Sequence, residues 1–445
     1  MSTVLRFQHI LTPDGFERQK RLLIDDMGRI ESIEDEAGDA YDGWLALPGM
    51  PDAHSHCFQR AMVGLGETAV GEDSFWSWRE AMYGLATRIG PEDLQVIATR
   101  AFSDMLRGGF TSVAEFHYLH HLPDGSPGTE MAEAVIEGAR LAGIRLTLLP
   151  VLYQSGGFGA VATSRQQRFV HRRIDDYLDL LGRLSGVTLG IAPHSVRAVD
   201  PAIIADIESG AREVLGDTFP RHIHVSEQRL EVEECLEFHG KTPIELLVEH
   251  VPLDHQWSLV HATHATGMET EEMNRAGVTA VLCPLTEAYL GDGLFHAAAF
   301  HRVGGRIAVG SDSNVRIDAV EELRMLEYGQ RLRLQRRACL ADATGLGRPL
   351  WQLACRGGEY ALGQPVGRLE SGAFADLVVL DKDSAVLAPL EGGQALDAFI
   401  TAGSAQDIAA VYVGGRRVVD HGAHERGSVT DHDYGATIRR LVEGL

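Results

Sequence analysis

The stretch Leu45-Ala-Leu-Pro-Gly-Met-Pro-Asp-Ala-His-Ser-His56 decides how this chain is read. An apolar run ends near Ala53, and two histidines follow with one residue between them. Residues i and i+2 of a strand point to the same face. His54 and His56 therefore project together, at the C-terminal mouth if this is the first strand of a barrel. Two imidazoles so placed suit a metal ion. By itself the pair reads more readily as two polar residues in a turn.

Downstream, short apolar runs alternate with amphipathic segments. The runs are Ser112–Phe116, Leu146–Leu152, Val187–Pro193, His222–Ser226, Trp257–Ala262, Val278–Pro284 and Arg306–Ser311. Helical patterns such as Met131–Ala142, Arg173–Leu184 and Glu231–Phe238 lie between them. Apolar strands alternating with helices indicate a parallel sheet covered on its outer face. With Leu45–Ala53 the strands number eight, which predicts an α/β chain built on a (β/α)8 TIM-type barrel. A doubly wound open sheet is the alternative on pattern alone. The ends differ. Residues 1–43 read as short strands with turns near Pro13-Asp14-Gly15 and Met27-Gly28-Arg29. Ala375–Asp381, Ala410–Val413 and Arg417–Val419 read as strands too. The expected organisation is a small β-sandwich domain from both termini (1–46 and 364–423), a barrel at 47–363, and a polar tail at 424–445 ending in one helix.

The histidine pair has company at the other strand ends. His224 lies near the end of the fifth run, His261 ends the sixth, and Asp312 ends the eighth. Barrel active sites form at the C-terminal ends of strands, from several strands at once. A core histidine would explain any one of these positions; their coincidence points to one metal site. His54, His56, His224 and Asp312 offer nitrogen and oxygen ligands that suit zinc, with iron, manganese or nickel left open. The fourth run, Val187–Pro193, contains no lysine to bridge a second ion, so one metal is expected. A bound metal brings the pKa of water toward neutrality, and Asp312 is placed both to ligate and to take that water's proton. Glu227, three residues after His224, is read as a proton shuttle to a leaving nitrogen, or more blandly as an acid at a helix N-terminus. His261 is read as stabilising the tetrahedral centre.

Composition narrows the classes. The chain has 445 residues, 44% hydrophobic, and a formal net charge of −23. That field disfavours nucleic acid and anionic membranes. The longest apolar runs fall far short of the ~20 residues that span a bilayer, and the first ten residues lack a signal-peptide pattern. A cytoplasmic enzyme is expected. The five cysteines are scattered and odd in number, which fits reduced thiols.

Leu47-Pro-Gly-Met-Pro-Asp-Ala-His-Ser-His56, His224-Val-Ser-Glu227, His261 and Gly310-Ser-Asp312 resemble the deaminase branch of the amidohydrolase superfamily. Gly367 to Asp381 resembles the stretch with which that family's β domain resumes. Further stretches are similar to its formimidoylglutamate deiminases: His56-Cys-Phe-Gln-Arg-Ala-Met62, Ser74-Phe-Trp-Ser-Trp-Arg-Glu80, Glu115-Phe-His-Tyr-Leu-His120, Ala192-Pro-His-Ser-Val-Arg197 and Leu290-Gly-Asp-Gly293. The resemblance implies hydrolysis of N-formimino-L-glutamate to N-formyl-L-glutamate and ammonia, in histidine degradation, by a homodimer with one zinc ion per subunit. By the same analogy Gln59, Arg79, Tyr118, His194 and Arg197 contact the substrate. The two arginines suit a substrate with two carboxylates. His117, His120, His121 and His264 are left as supporting or structural. Leu285, Tyr289 and Asn314-Val-Arg316 depart from the family pattern at barrel-mouth loops and put the substrate preference in question. The rival readings are deamination of a purine or pterin ring, dechlorination of a triazine, and a catalytically silent scaffold.

Overall fold

Gly49 divides the stretch Leu45–Ala53 into two strands with different destinations. A Cβ at Gly49 would lie 2.2 Å from Thr111 Oγ1, so only glycine lets the backbone pass there. The computed structural model describes residues 3–65, 67 and 75–443. Its opening strands are β1 (Thr3–Thr12), β2 (Gly15–Ile24), β3 (Ile30–Asp35), β4 (Gly43–Pro48) and β5 (Met50–Ser55). Strand β4 belongs to the terminal sheet and β5 begins the barrel, so the single strand expected over Leu45–Ala53 is two.

The barrel continues with β6 (Phe110–His117) and β7 (Arg145–Leu152). A small hairpin follows, β8 (Ser155–Gly157) with β9 (Ala160–Val161). Next come β10 (Thr188–Leu189), β11 (Ala192–Pro193), β12 (Arg221–Val225), β13 (Trp257–His261), β14 (Thr279–Leu282) and β15 (Arg306–Val309). The expected run Val187–Pro193 is thus interrupted, and β10 and β11 both pair with β7 as one barrel position. All barrel pairings are parallel. They form two arcs, β5–β6–β7 with β10/β11, and β12–β13–β14–β15. Isolated parallel bridges join the arcs at Ser55 with Asp312 and at Ser195 with His224. Both seams run through predicted site residues. At the first, the Asp312 amide donates to His54 O at 2.9 Å and the His56 amide donates to Asp312 O at 2.9 Å. Gly310 makes that closure possible, because a Cβ there would fall 2.7 Å from His54 O.

Helices cover the barrel by the usual amphipathic logic. The helix Pro91–Arg107 starts with proline followed by Glu92 and Asp93, which suit a helix N-terminus. It buries Leu94, Ile97, Ala98, Ala101, Phe102 and Met105 at helical spacing. Its neighbour Glu130–Ala142 approaches closely enough that a Cβ on Gly138 would lie 2.8 Å from Ala98 Cβ. The strands β16 (Leu377–Leu380), β17 (Ile408–Val413), β18 (Arg416–Asp420) and β19 (Ala423–His424) return to the opening strands. Together they make one eight-stranded sheet, ordered β19-β18-β17-β16-β4-β1-β2-β3. Phe7, Ile10, Leu22, Ile24, Leu377 and Val379 form a second, smaller core within it. The strands expected to be short at the N-terminus are long: β1 and β2 have ten residues each. The segment after Leu380 also carries the helix Gly392–Ala402, and the tail is nearly all helix, Gly427–Val442. Among the described residues no helix is long and apolar enough to cross a membrane.

Candidate metal centre and active site

Four side chains meet at the C-terminal mouth of the barrel. His54 Nε2 lies 3.2 Å from His56 Nε2 and 3.1 Å from His224 Nε2. Asp312 Oδ1 is 3.4 Å from each of His54 Nε2 and His56 Nε2. Donors about 2.0–2.2 Å from one ion at tetrahedral angles stand roughly 3.3–3.6 Å apart, so the spacing suits a small divalent cation. The ring chemistry agrees. His56 Nδ1 faces Phe116 O at 2.9 Å and His224 Nδ1 faces His194 O at 3.1 Å. Each Nδ1–H therefore donates to a carbonyl, and each Nε2 lone pair is left for the centre. Burial lowers the pKa of all three histidines, His56 to about 3, so the imidazoles stay neutral, the form in which a ring nitrogen can bind a metal.

The backbone is bent to aim these groups. Ser226, His261, Ala262, Asp312 and Asn314 all have positive φ, between 48° and 67°. Such conformations cost of order 1–3 kcal/mol each and gather at functional sites. Asn314 holds one of them: its Nδ2 donates to Ser55 Oγ at 3.0 Å and to Asp312 O at 2.9 Å. Below the floor, Asp52 Oδ1 accepts from the His54 and Ser311 amides at 3.3 and 3.0 Å. Glu115 Oε1 accepts from the Cys57 amide at 2.7 Å. Burial pushes both carboxyls up to about 7. The sequence reading missed both, since each lies within a strand and nothing in the local pattern marks it.

His261 sits among carboxylates. Its Nδ1 faces Glu287 Oε1 at 3.4 Å, and its Nε2 faces Asp312 Oδ2 at 3.7 Å and Glu227 Oε1 at 3.9 Å. Burial alone would lower its pKa; Glu227, Glu287 and Asp312 outweigh burial and raise it to about 10. Glu227 is itself raised, chiefly by burial and against the pull of His261 and Arg197. Its amide donates to Glu231 Oε2 at 2.9 Å. Arg197 lies 3.8 Å from Glu227 Oε2 and 3.5 Å from Glu231 Oε1.

A cavity opens above these groups. His56, Gln59, Arg79, Tyr118, His194, Arg197, His224, Glu227, His261 and Asp312 all line it, with His54 buried beneath. The structure thus brings together every site residue named from the sequence. Gln59 Nε2 donates to Tyr118 Oη at 2.8 Å. Ser74, which opens the stretch carrying Arg79, lies outside the described residues; Arg79 is on the helix Phe75–Ala86. Sequence reasoning missed the aromatic wall of Trp78, Tyr83, Tyr153 and Phe169. Tyr153 directly follows β7, so the strand-end rule that selected His224 would have selected it too.

The residues that depart from the family pattern do not face the cavity. Asn314 is fully buried behind Asp312, and Arg316 pairs with Glu321. Tyr289 Oη donates to Glu67 Oε1 at 2.5 Å, and the Leu285 amide donates to Glu322 Oε2 at 2.9 Å. His120 and His121 bond to the carbonyls of Val151 and Val170 outside the cavity.

Known proteins resemble this chain over nearly its whole length. The profile of the amidohydrolase family matches residues 45–418. The formimidoylglutamate deiminase of Pseudomonas aeruginosa is 45% identical over 432 residues, covering 94% of each chain. The crystal structure of an amidohydrolase from Brucella melitensis superposes with a TM-score of 0.90 at 41% identity, covering 99% of both chains. An adenosine deaminase from Xanthomonas campestris, solved with bound zinc, shares the fold at a TM-score of 0.80 and 21% identity, over 98% of both chains.

Proposed function

The chain belongs to the amidohydrolase family, and on that premise we propose that it hydrolyses N-formimino-L-glutamate to N-formyl-L-glutamate and ammonia, using one zinc ion per chain. The observation that carries the reading is the convergence of His54, His56, His224 and Asp312 beneath a cavity that also presents Arg79 and Arg197. The similarity to the Pseudomonas aeruginosa deiminase supports the choice of substrate.

His54, His56, His224 and Asp312 would hold the metal. A zinc ion bound there would supply Lewis-acid chemistry, bringing the pKa of water toward neutrality. Asp312 Oδ2, 3.7 Å from His261 Nε2, accepts the proton of the attacking water. His261, kept protonated by the carboxylates around it, donates toward the charge that develops as the formimino carbon becomes tetrahedral. Glu227, whose carboxyl pKa burial pushes upward against the pull of His261 and Arg197, passes a proton to the nitrogen. The nitrogen takes a second proton, the one Asp312 accepted from water; the C–N bond breaks, ammonia leaves, and the remaining hydroxyl proton returns to Glu227 as the formyl C=O forms. Arg79 and Arg197 neutralise the substrate's carboxylates, while Gln59, Tyr118 and His194 orient it. In this reading the unit 47–363 carries the chemistry, the sheet of both termini closes the barrel's base, and the enzyme works as a cytoplasmic homodimer.

The decisive assay is ammonia release from N-formimino-L-glutamate by zinc-loaded protein, with guanine in parallel. Release from the first alone is expected. Release from guanine alone would replace this reading with ring deamination. A Glu227→Gln variant should keep its zinc and lose about 10²–10⁴-fold in kcat; near-normal turnover would remove the proton-transfer role.

A further inference from the structure

Gln166 lies on a turn of the loop that follows the β8–β9 hairpin, and it is 1% exposed. Its orientation is fixed by chemistry. The Thr163 amide, which can only donate, is 2.8 Å from one terminal atom of the side chain, so that atom is the oxygen Oε1. Thr163 Oγ1 donates to the same oxygen at 3.0 Å. The other end is therefore the NH2 group, and it has two protons to give. Nε2 donates one to Tyr153 Oη at 2.8 Å and one to Tyr83 Oη at 3.2 Å.

This arrangement constrains the tyrosines. A phenol has one proton, and an oxygen that accepts from Gln166 has that proton left to donate. Each of the two hydroxyls, having accepted from Gln166, therefore keeps its own proton to give. Tyr83 and Tyr153 are each about 95% buried, so bulk water is a poor recipient. Both line the cavity, on the wall that carries Arg79 and Arg197. The Arg79 guanidinium stands 5.6 Å from the centre of the Tyr83 ring. The Tyr153 ring is edge-on to His194, with centroids 4.7 Å apart. The Tyr83 and Tyr153 hydroxyls and the Arg79 and Arg197 guanidiniums all carry hydrogens on this wall, and such a set is complementary to a carboxylate.

We propose that the Tyr83 and Tyr153 hydroxyls, oriented by Gln166, are the donor pair that completes a carboxylate subsite beside Arg79 and Arg197 and makes the enzyme selective for dicarboxylates. The proposal rests on the formiminoglutamate reading and names the residues that discriminate within it. Tyr83 and Tyr153 touch the substrate; Gln166 is a positioning residue that acts through them. A subsite that holds the carboxylate contributes to binding in ground state and transition state alike.

The test uses zinc-loaded full-length protein and two probes that carry no imine, glutarate and butyrate, with affinities measured by calorimetry. A hydrogen bond to a charged acceptor corresponds to roughly a 10- to 100-fold change in affinity. The double variant Tyr83→Phe/Tyr153→Phe should bind glutarate about 10- to 100-fold more weakly than wild type, with butyrate changed by less than about threefold. Gln166→Leu should show the same selective loss, and in turnover both should raise KM with little change in kcat. Circular dichroism checks that each variant is folded; should Gln166→Leu fail to fold, the double tyrosine variant, which keeps both rings, decides alone. Unchanged glutarate affinity, or equal loss for both probes, overturns the subsite. The two readings separate in the wild type: selective glutarate binding without ammonia release from formiminoglutamate would sink the deiminase assignment and leave the carboxylate subsite standing.

Discussion

At the residue scale, the site is governed by what burial does to an imidazole. His54, His56 and His224 are nearly inaccessible and stay neutral, which is the form that binds metal. The sign for pH follows. A proton competes with the metal for each Nε2, and an unperturbed histidine begins to protonate near pH 6.5. Here burial lowers the pKa, to about 3 for His56, so competition starts only well below 6.5. Zinc should therefore remain bound after dialysis at pH 5, as measured by elemental analysis. Loss with a midpoint near pH 6.5 would mean that the ligands titrate like exposed histidines. The candidate ligands and their strand-end positions were legible in the sequence. Asp52, Glu115 and Glu287, which hold the ligand loops and His261, were not, because their partners are distant in the chain.

At the element scale, the helix Gly427–Val442 is tied to the turn Cys57–Met62, which follows His56 and carries Gln59. Tyr434 Oη donates to Arg60 O at 2.8 Å. The Arg60 guanidinium in turn donates to Asn314 O and Val315 O at 2.8 and 2.9 Å, and to Asp104 at 2.8 Å. Arg100 joins Asp104 to Asp431 of the same helix, at 2.7 Å each. The C-terminal helix thus braces the loops that carry His56 and Asp312. Tyr434→Phe should cost about 1 kcal/mol of stability and leave kcat nearly unchanged. An unchanged urea midpoint would show that the hydroxyl contributes nothing net. The sequence showed a terminal helix but not its purpose. Its polar residues are solvated charges on the page and become clasps only when helix Pro91–Arg107 is packed against it.

At the scale of the whole molecule, charge and site oppose each other. The chain carries a net charge of −23, yet its cavity presents arginines to an anionic substrate. Over distances beyond ~10 Å the global field repels that substrate, and salt screens it. The kcat/KM for formiminoglutamate should therefore rise, about twofold, between low ionic strength and 0.15 M salt. A fall over that range would mean that the local guanidiniums dominate the approach as well as the docking.

Sequence alone determined a parallel sheet covered by helices, through apolar runs alternating with helical periodicity, and the count of eight strands pointed to a barrel. It also determined the metal-ligand candidates, through histidine and aspartate at the ends of those runs. Both follow from local rules, the period of the element and the residue type at its end. Only the tertiary structure decided that Gly49 and Gly310 let strands approach where any Cβ would collide, and that β10 and β11 share one barrel position. It alone showed the left-handed backbone at His261 and Asp312 and the proton accounting that makes Tyr83 and Tyr153 donors. These depend on which atoms meet across long separations in the chain, and no periodicity in the sequence records that.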